Sequence, residues 1–237
     1  MYYFDKLKLY RLNAVTKQTV PISLSIPRKD LSECYIVKLG RDKLFLVSHQ
    51  YAVIANIATD QIRRVKSMPT PKIYSGCIHF ERKIYAFCGR LCEVPTRECC
   101  FFSLLSEDWS SLPKSIEPRQ SLSPVLYKGA IILPNGCNSS VESFNPSTTE
   151  FCILPINTGL TESSTSFFHG DEIYILGLRK CSVWNLSTYQ FVRQGEYKMI
   201  NVAISQFPPF VHRNVGYFVY SGVVRKLDLD ALVWVAS

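Results

Sequence analysis

The stretch RKIYAFCGR, residues 82–90, places an apolar run from Ile84 to Phe87 directly before Cys88 and Gly89. Such a run favours a buried or half-buried β-strand, and a glycine behind it marks a tight bend or a close approach of two backbones. The same pattern occurs again as DKLFLVS (42–48), GAIILPNG (129–136), DEIYILG (171–177) and VGYFVYSG (215–222). A strand pattern that recurs at a regular interval indicates a repeat fold rather than a single site.

A second pattern follows each of these stretches: an apolar residue, six residues rich in turn formers, and another large apolar residue. The anchor pairs are Phe102 and Trp109, Phe144 and Phe151, Trp184 and Phe191, Leu227 and Trp234 and, more weakly, Ala55 and Ile62. The second anchors are separated by 47, 42, 40 and 43 residues. A period of about 43 residues with four short strands per unit is typical of a propeller blade, and the anchors are expected to be buried between blades.

The period predicts an all-β propeller whose five complete four-stranded blades run from about residue 31 to the end of the chain. Residues 1–25 repeat only the second hairpin of a unit and are expected to form a partial sixth blade. Clusters of Pro and Ser such as SMPTP (67–71) and LPKSIEP (112–118) separate the units and indicate connecting loops. No sustained helical periodicity is present, so helix is predicted to be almost absent.

The unit PTPKIYSGCIHFERKIYAFCG (69–89), followed by Phe102 and Trp109, resembles the kelch repeat. The unit of that family has an apolar strand ending in two glycines, then a tyrosine, six residues and a tryptophan. One glycine of the pair is present in most units of this chain, at Gly89, Gly136, Gly177 and Gly222, whereas VSH at 47–49 has none. The arginine that often precedes the first hairpin in that family is matched by Lys72 and by Arg119. The resemblance implies that residues 1–237 form a single kelch-type propeller domain; a WD-repeat propeller, which lacks its Gly-His and Trp-Asp pairs here, is the alternative.

Composition restricts the function classes. No run approaches 18 uncharged apolar residues, and the start MYYFDKLKLY carries charges where a signal peptide is apolar, which predicts a soluble cytoplasmic protein without a membrane partner. The nine cysteines lie inside apolar runs, so they are expected to be reduced and mostly buried. The formal net charge of +8 favours acidic partners.

Motifs for catalysis or cofactor binding are missing, and the chain is therefore predicted to be neither an enzyme nor a cofactor protein. His79, His169 and His212 fall near the first bend of their units, which points to a role in the blade rather than in a site. Cys88, Cys92, Cys99 and Cys100 form one local cluster, but adjacent Cys99 and Cys100 should face opposite sides of a strand, so buried free thiols are favoured over zinc. The fold of kelch-like propellers resembles that of one copper oxidase group, which leaves a metal-dependent oxidase as an alternative.

Propeller loops predict a non-catalytic module, a scaffold or adaptor, that binds a protein partner. The longest loop behind a glycine-bearing strand is RLCEVPTRE, residues 90–98. The candidate contact residues are Lys72, Arg90, Arg97, Arg119, Arg179 and Lys180. If they gather at one end of the propeller they should attract a partner with an acidic surface, and if they are divided between the two ends they should not. The alternative partner is an acidic polymer such as a cytoskeletal filament, whereas a nucleic acid is disfavoured because aromatic and basic residues are not interleaved.

Overall fold

The computed structural model describes residues 2–5, 8–12, 18–22, 35–48, 51–73, 75–134, 137–160, 164–177, 179–196, 209–220 and 223–235. Every regular element in these ranges is a β-strand, which confirms the prediction of an all-β chain. Consequently, no helix in the described part is long and apolar enough to cross a membrane.

Three-stranded and four-stranded antiparallel sheets follow one another along the chain. The N-terminal sheet lies within the segment predicted to form a partial blade and contains β1 (Tyr2–Asp5), β2 (Lys8–Leu12) and β3 (Thr19–Ile22). Blade 1 contains β4 (Tyr35–Lys38), β5 (Lys43–Val47), β6 (Ala52–Asn56) and β7 (Gln61–Arg64). Blade 2 contains β8 (Gly76–Phe80), β9 (Lys83–Phe87), β12 (Cys99–Ser103) and β13 (Asp108–Ser111), with a separate small hairpin of β10 (Arg90–Leu91) and β11 (Val94–Pro95).

The remaining blades are simple four-stranded meanders. Blade 3 contains β14 (Val125–Tyr127), β15 (Ala130–Pro134), β16 (Ser140–Asn145) and β17 (Glu150–Asn157). Blade 4 contains β18 (Thr165–His169), β19 (Glu172–Leu176), β20 (Lys180–Asn185) and β21 (Gln190–Glu196). Blade 5 contains β22 (Phe210–His212), β23 (Val215–Tyr220), β24 (Val223–Asp228) and β25 (Val233–Val235). The five predicted four-stranded blades are thus confirmed, and the first strands of neighbouring blades contact each other, β4 with β8 and β14 with β18.

Blades 2, 3 and 4 each bury both of their faces, one against each neighbour. Along β9, Ile84 packs with Phe45 of blade 1, whereas the next residue, Tyr85, packs with Phe144 of blade 3. Successive residues of a strand point to opposite faces, so an uninterrupted apolar run serves both interfaces. Further cores of the same kind lie between blades 3 and 4 and between blades 4 and 5. This packing is the physical cause of the 43-residue period, because a single blade cannot hide either face alone.

The anchor residues differ in burial according to their strand. The first anchors Phe102, Phe144 and Leu227 are fully buried, as predicted, whereas the first anchor Trp184 is half-buried. The expectation that the second anchors are also buried is wrong for Phe191, which is 52% exposed on the outer strand of blade 4. Trp109 is half-buried against Phe102. The cause is radial geometry: neighbouring blades diverge with distance from the axis, so their outer strands cover each other incompletely.

The glycine of the opening stretch sits where two backbones meet, as the sequence predicted. Gly89 has φ +106°, and a Cβ there would lie 2.5 Å from Ser75 Oγ and 2.7 Å from the carbonyl oxygen of Ile73. Only glycine tolerates both that dihedral angle and that approach. Gly177 is buried and donates its N–H to the carbonyl of Lys180 at 2.8 Å. Gly136, Gly222 and His49 lie outside the described residues.

The predicted positions of three histidines are confirmed. His79 lies in β8 one residue before its last, and His169 and His212 are the last residues of β18 and β22. Each therefore precedes the bend to the second strand of its blade.

Candidate interaction surface at one end of the propeller

The antiparallel order decides where the connections of each blade emerge. The loop between the second and third strands and the link from the fourth strand to the next blade leave from one end, which we call the link end. The bend between the first two strands and the turn between the last two leave from the opposite end, the turn end. The candidate residues Lys72, Arg90, Arg97, Arg119, Arg179 and Lys180 all belong to loops, links or strand starts at the link end. They are therefore not divided between the two ends.

The loop of residues 90–98 in blade 2 begins with a β-hairpin. Arg90 pairs with Pro95 and Leu91 with Val94, around a turn in which Cys92 and Glu93 have φ of 48° and 66°. This segment, residues 90–95, is called the link-end hairpin below. The sequence did not predict its two-residue strands, because Cys-Glu is not a usual turn pair, although the apolar residues Leu91 and Val94 flank that pair.

Both neighbouring links hold the link-end hairpin in place. Ile73, in the link from blade 1, forms an antiparallel bridge with Arg90, and Arg119, in the link to blade 3, forms one with Thr96. The backbone hydrogen bonds of these bridges measure 2.7 to 3.2 Å. The hairpin is thus attached at its base to two inter-blade links, while Val94 is 63% exposed.

The charged side chains around the hairpin are largely braced. Arg90 donates to the carbonyl of Glu93 at 2.8 Å and pairs with its carboxylate at 2.7 Å. The guanidinium of Arg97, an exposed residue, donates to the carbonyl of Ser115 at 2.5 Å. The ammonium of Lys114 pairs with Glu98 at 2.7 Å. These contacts orient the cations and offset part of their charge.

Arg179 and Lys180 form a separate pair of cations two blades away. Both are exposed, and the ammonium of Lys180 lies 3.8 Å from the carboxylate of Glu196. They share the end of the propeller with the link-end hairpin, but Arg179 lies in the second loop of blade 4 and Lys180 begins β20.

Lys72 and Arg119 lie in the interior, whereas the other four candidates reach the surface. Arg119 is 0% exposed, and its guanidinium donates to both the Glu142 carboxylate, at 2.9 and 3.0 Å, and the Ser140 carbonyl, at 2.8 Å. Lys72 is 1% exposed, and its ammonium donates to the carbonyl of Glu98 at 2.6 Å. These two charges bind the links to the blades and are not presented to a partner.

The two buried cations make equivalent contacts in successive blades. Ile84 pairs with Phe102 in blade 2, and Ile131 pairs with Phe144 in blade 3. This register aligns Glu98 of blade 2 with Ser140 of blade 3. The carbonyl of Glu98 accepts a hydrogen bond from Lys72, and the carbonyl of Ser140 accepts one from Arg119. The sequence match of these two cations to one repeat position therefore corresponds to a repeated structural contact.

The cysteines of the local cluster occupy three different environments. Cys88 and Cys99 are buried together between blades 2 and 3, whereas Cys100 faces the core between blades 1 and 2. The opposite orientation of Cys99 and Cys100 confirms the prediction from strand geometry. Cys92 is exposed at the tip of the link-end hairpin. The described cysteines are all free, no three acidic, His or Cys side chains in the described ranges could hold a metal ion together, and Cys34 lies outside them.

The fold defines the class of the protein as a β-propeller with five four-stranded blades. Neither a protein-family model nor a curated protein matches the sequence.

Proposed function

We propose that this propeller is a kelch-type, non-catalytic interaction module, a scaffold or adaptor, that binds a protein partner through its link end. The observation that carries the proposal is the link-end hairpin, which blade 2 adds to the common four-stranded plan. Rigid blades with loops at one end are a usual arrangement for recognition, because the scaffold holds the loops in place before binding. Free cysteines in every described position support a reducing compartment, and we propose the cytoplasm.

The side chains of the hairpin suit a protein contact. Val94 offers an exposed apolar group in a loop that also carries the charges of Arg90, Glu93 and Arg97. An apolar centre with a polar rim is the usual composition of a small interface. The bridges to both links keep the hairpin in one conformation, so binding would order few additional residues.

The sign of the exposed charge favours a partner with an acidic surface. Arg97, Arg179 and Lys180 are exposed at the link end, and the whole chain carries a net charge of +8. Long-range attraction of this kind raises the association rate and weakens with ionic strength. An acidic polymer such as a cytoskeletal filament is the second candidate on the same observation.

The test compares the two ends of blade 2. Val94→Glu places a charge on the hairpin, and Leu105→Glu places one on the turn end, where Leu105 is 73% exposed. Partners captured from the native cell by the wild-type protein should be lost with Val94→Glu and retained with Leu105→Glu. Loss with Leu105→Glu alone would move the site to the turn end, and retention with both variants would refute binding through the hairpin.

A salt series separates the partner classes. Between about 50 and 300 mM salt the screening length falls from roughly 14 to 6 Å, so an acidic filament held mainly by charge should dissociate. A folded protein partner held by the apolar centre should persist and should still require Val94.

A further inference from the structure

The two arginines in the loop of residues 90–98 differ in their partners. Arg90 pairs with the Glu93 carboxylate at 2.7 Å. Arg97 forms no ion pair within the described part of the chain, and the only hydrogen bond of its side chain there runs from Nε to the carbonyl of Ser115. Arg97 is an exposed residue, so both terminal nitrogens of its guanidinium, Nη1 and Nη2, are open to an acceptor on a partner.

Buried structure fixes the direction of this guanidinium. Ser115 is 0% exposed, its N–H donates to the carbonyl of Arg97 at 3.0 Å, and its hydroxyl donates to the carbonyl of Glu117 at 2.7 Å. The carbonyl that accepts from Nε therefore belongs to a residue that is itself held in place. A guanidinium whose Nε is occupied presents Nη1 and Nη2 end-on, and this pair of donors matches the two oxygens of a carboxylate. Binding costs less side-chain entropy because one bond of the guanidinium is already made.

The residue after Ser115 adds an exposed apolar group with a fixed backbone. Ile116 is 36% exposed, and its N–H donates to the Glu142 carboxylate at 3.0 Å. That carboxylate pairs with Arg119, and both of these side chains are 0% exposed. The interior of the propeller thus holds both the cation at Arg97 and the apolar side chain at Ile116 before any partner binds.

We infer that the link end recognises an acidic side chain, Asp or Glu, that stands next to an apolar one in an extended peptide segment of the partner. The carboxylate accepts hydrogen bonds from both terminal nitrogens of Arg97, and the apolar side chain packs on Ile116. The inference rests on the proposed function, because it names the chemistry that the link end binds.

The charges near Arg97 favour a carboxylate over a phosphate. Arg90 is paired with its own carboxylate, and the ammonium of Lys114 pairs with Glu98 at 2.7 Å. Glu117 forms no ion pair within the described ranges and adds a negative charge to the same link. A phosphorylated side chain carries about two negative charges at pH 7 and is usually bound by a cluster of arginines, whereas a carboxylate carries one. A single unpaired arginine matches the carboxylate.

Parallel selections from a random peptide library on the purified full chain test the contact. Peptides that bind equally well after Val94→Ser are discarded, because this neutral change removes an exposed apolar group of the link-end hairpin. Selection on the wild type should enrich Asp or Glu beside an apolar residue, and selection on Arg97→Glu should enrich Lys or Arg at that place. Arg179→Glu is the matched control, since it reverses an exposed cation of blade 4 at the same end, and it should return the acidic pattern.

One selected peptide, synthesised with Glu, Gln or phosphoserine at the enriched position, measures the strength of the contact. On the wild type, the Gln peptide should bind about tenfold more weakly than the Glu peptide, because a charge-assisted bidentate pair is lost. On Arg97→Met the two peptides should differ by less than about twofold. Arg97→Lys should keep a smaller preference for Glu, since a lysine retains the charge but not the fork of donors. The phosphoserine peptide should bind the wild type more weakly than the Glu peptide, and circular dichroism should be unchanged in every variant.

The possible failures separate this inference from the proposed function. Selections that return the same charge on the wild type and on Arg97→Glu would overturn the inference, whereas peptides that still require Val94 would support binding through the hairpin. Tighter binding of the phosphoserine peptide, or a change of selected charge with Arg179→Glu as complete as that with Arg97→Glu, would also overturn it. If no selected peptide requires Val94, both the proposed function and the inference fail.

Discussion

Removal of the Arg119 guanidinium is expected to destabilise the propeller more than any exposed ion pair does. Both partners of the Arg119–Glu142 pair have 0% exposed side chains. The Glu142 carboxylate accepts two hydrogen bonds from the guanidinium, one from the N–H of Ile116 at 3.0 Å and one from the N–H of Glu117 at 2.9 Å. Arg119→Met therefore leaves a carboxylate buried with two neutral donors and no cation.

The magnitude follows from that uncompensated charge. Breaking a buried pair by removing one partner costs about 3–5 kcal/mol of unfolding free energy. The double variant Arg119→Met with Glu142→Met removes both charges but leaves two N–H groups without acceptors and the Ser140 carbonyl without its donor, at about 1–3 kcal/mol each. The sum of the free-energy costs of the two single variants should therefore exceed the cost of the double variant by about 2 kcal/mol.

Urea unfolding followed by tryptophan fluorescence measures these free energies, since the chain contains three tryptophans. Arg63→Met is the matched control, because Arg63 pairs with Glu107 across blades 1 and 2 but the two side chains are 54% and 44% exposed. That control should cost less than about 1 kcal/mol. A cost of Arg119→Met no greater than that of Arg63→Met, or additive costs in the double variant, would refute a buried, coupled pair.

Three further changes have defined outcomes. Gly89→Ala should cost more than about 2 kcal/mol in urea unfolding because of its positive φ and its contact with backbone, whereas Gly40→Ala, which meets nothing within 4 Å, should change stability by less than about 0.5 kcal/mol. Trp109→Ala should cost about 3 kcal/mol, because the indole packs between blades and donates to a backbone carbonyl at 2.7 Å, whereas Phe191→Ala, at a site 52% exposed, should cost about 1 kcal/mol. Equal costs would contradict the difference in burial between these two outer-strand sites. Burial raises the pKa of Cys181 to about 12, so on raising the pH the unfolded chain loses this thiol proton before the folded protein does. The free energy of unfolding should therefore fall by up to about 1.4 kcal/mol per pH unit between about pH 9 and 12. Cys181→Ala should flatten that decline, and an unchanged slope would show that another group causes it.

The sequence predicted the blades because their cause is local and repeated. The run Ile84–Phe87 is apolar at every position because each of its faces meets another blade, and the period shows that such runs recur. Gly89 was expected at a close approach of backbones, and the structure places it against Ser75. The burial of Phe191 was predicted wrongly, because the repeat pattern does not record distance from the axis.

The link-end hairpin and the positions of the basic residues needed the tertiary structure. Sequence alone showed that Lys72, Arg90, Arg97 and Arg119 occur in loops and links, but not which of them face solvent. Burial of a charge depends on its acceptor, and Glu142 lies on a strand of the blade that follows Arg119. The hairpin likewise depends on bridges to the two links beside it rather than on a strong turn sequence.

The sequence by itself determined that the chain is a repeat of four-stranded β units, because strand propensity and apolar period are properties of neighbouring residues. The tertiary structure decided which cations are interior, which end of the propeller carries the loops, and that Cys88 and Cys99 share one core. Each of these depends on the register between strands and on the stacking of blades. Register and stacking bring together residues that are distant in the chain, and no local pattern encodes their contact.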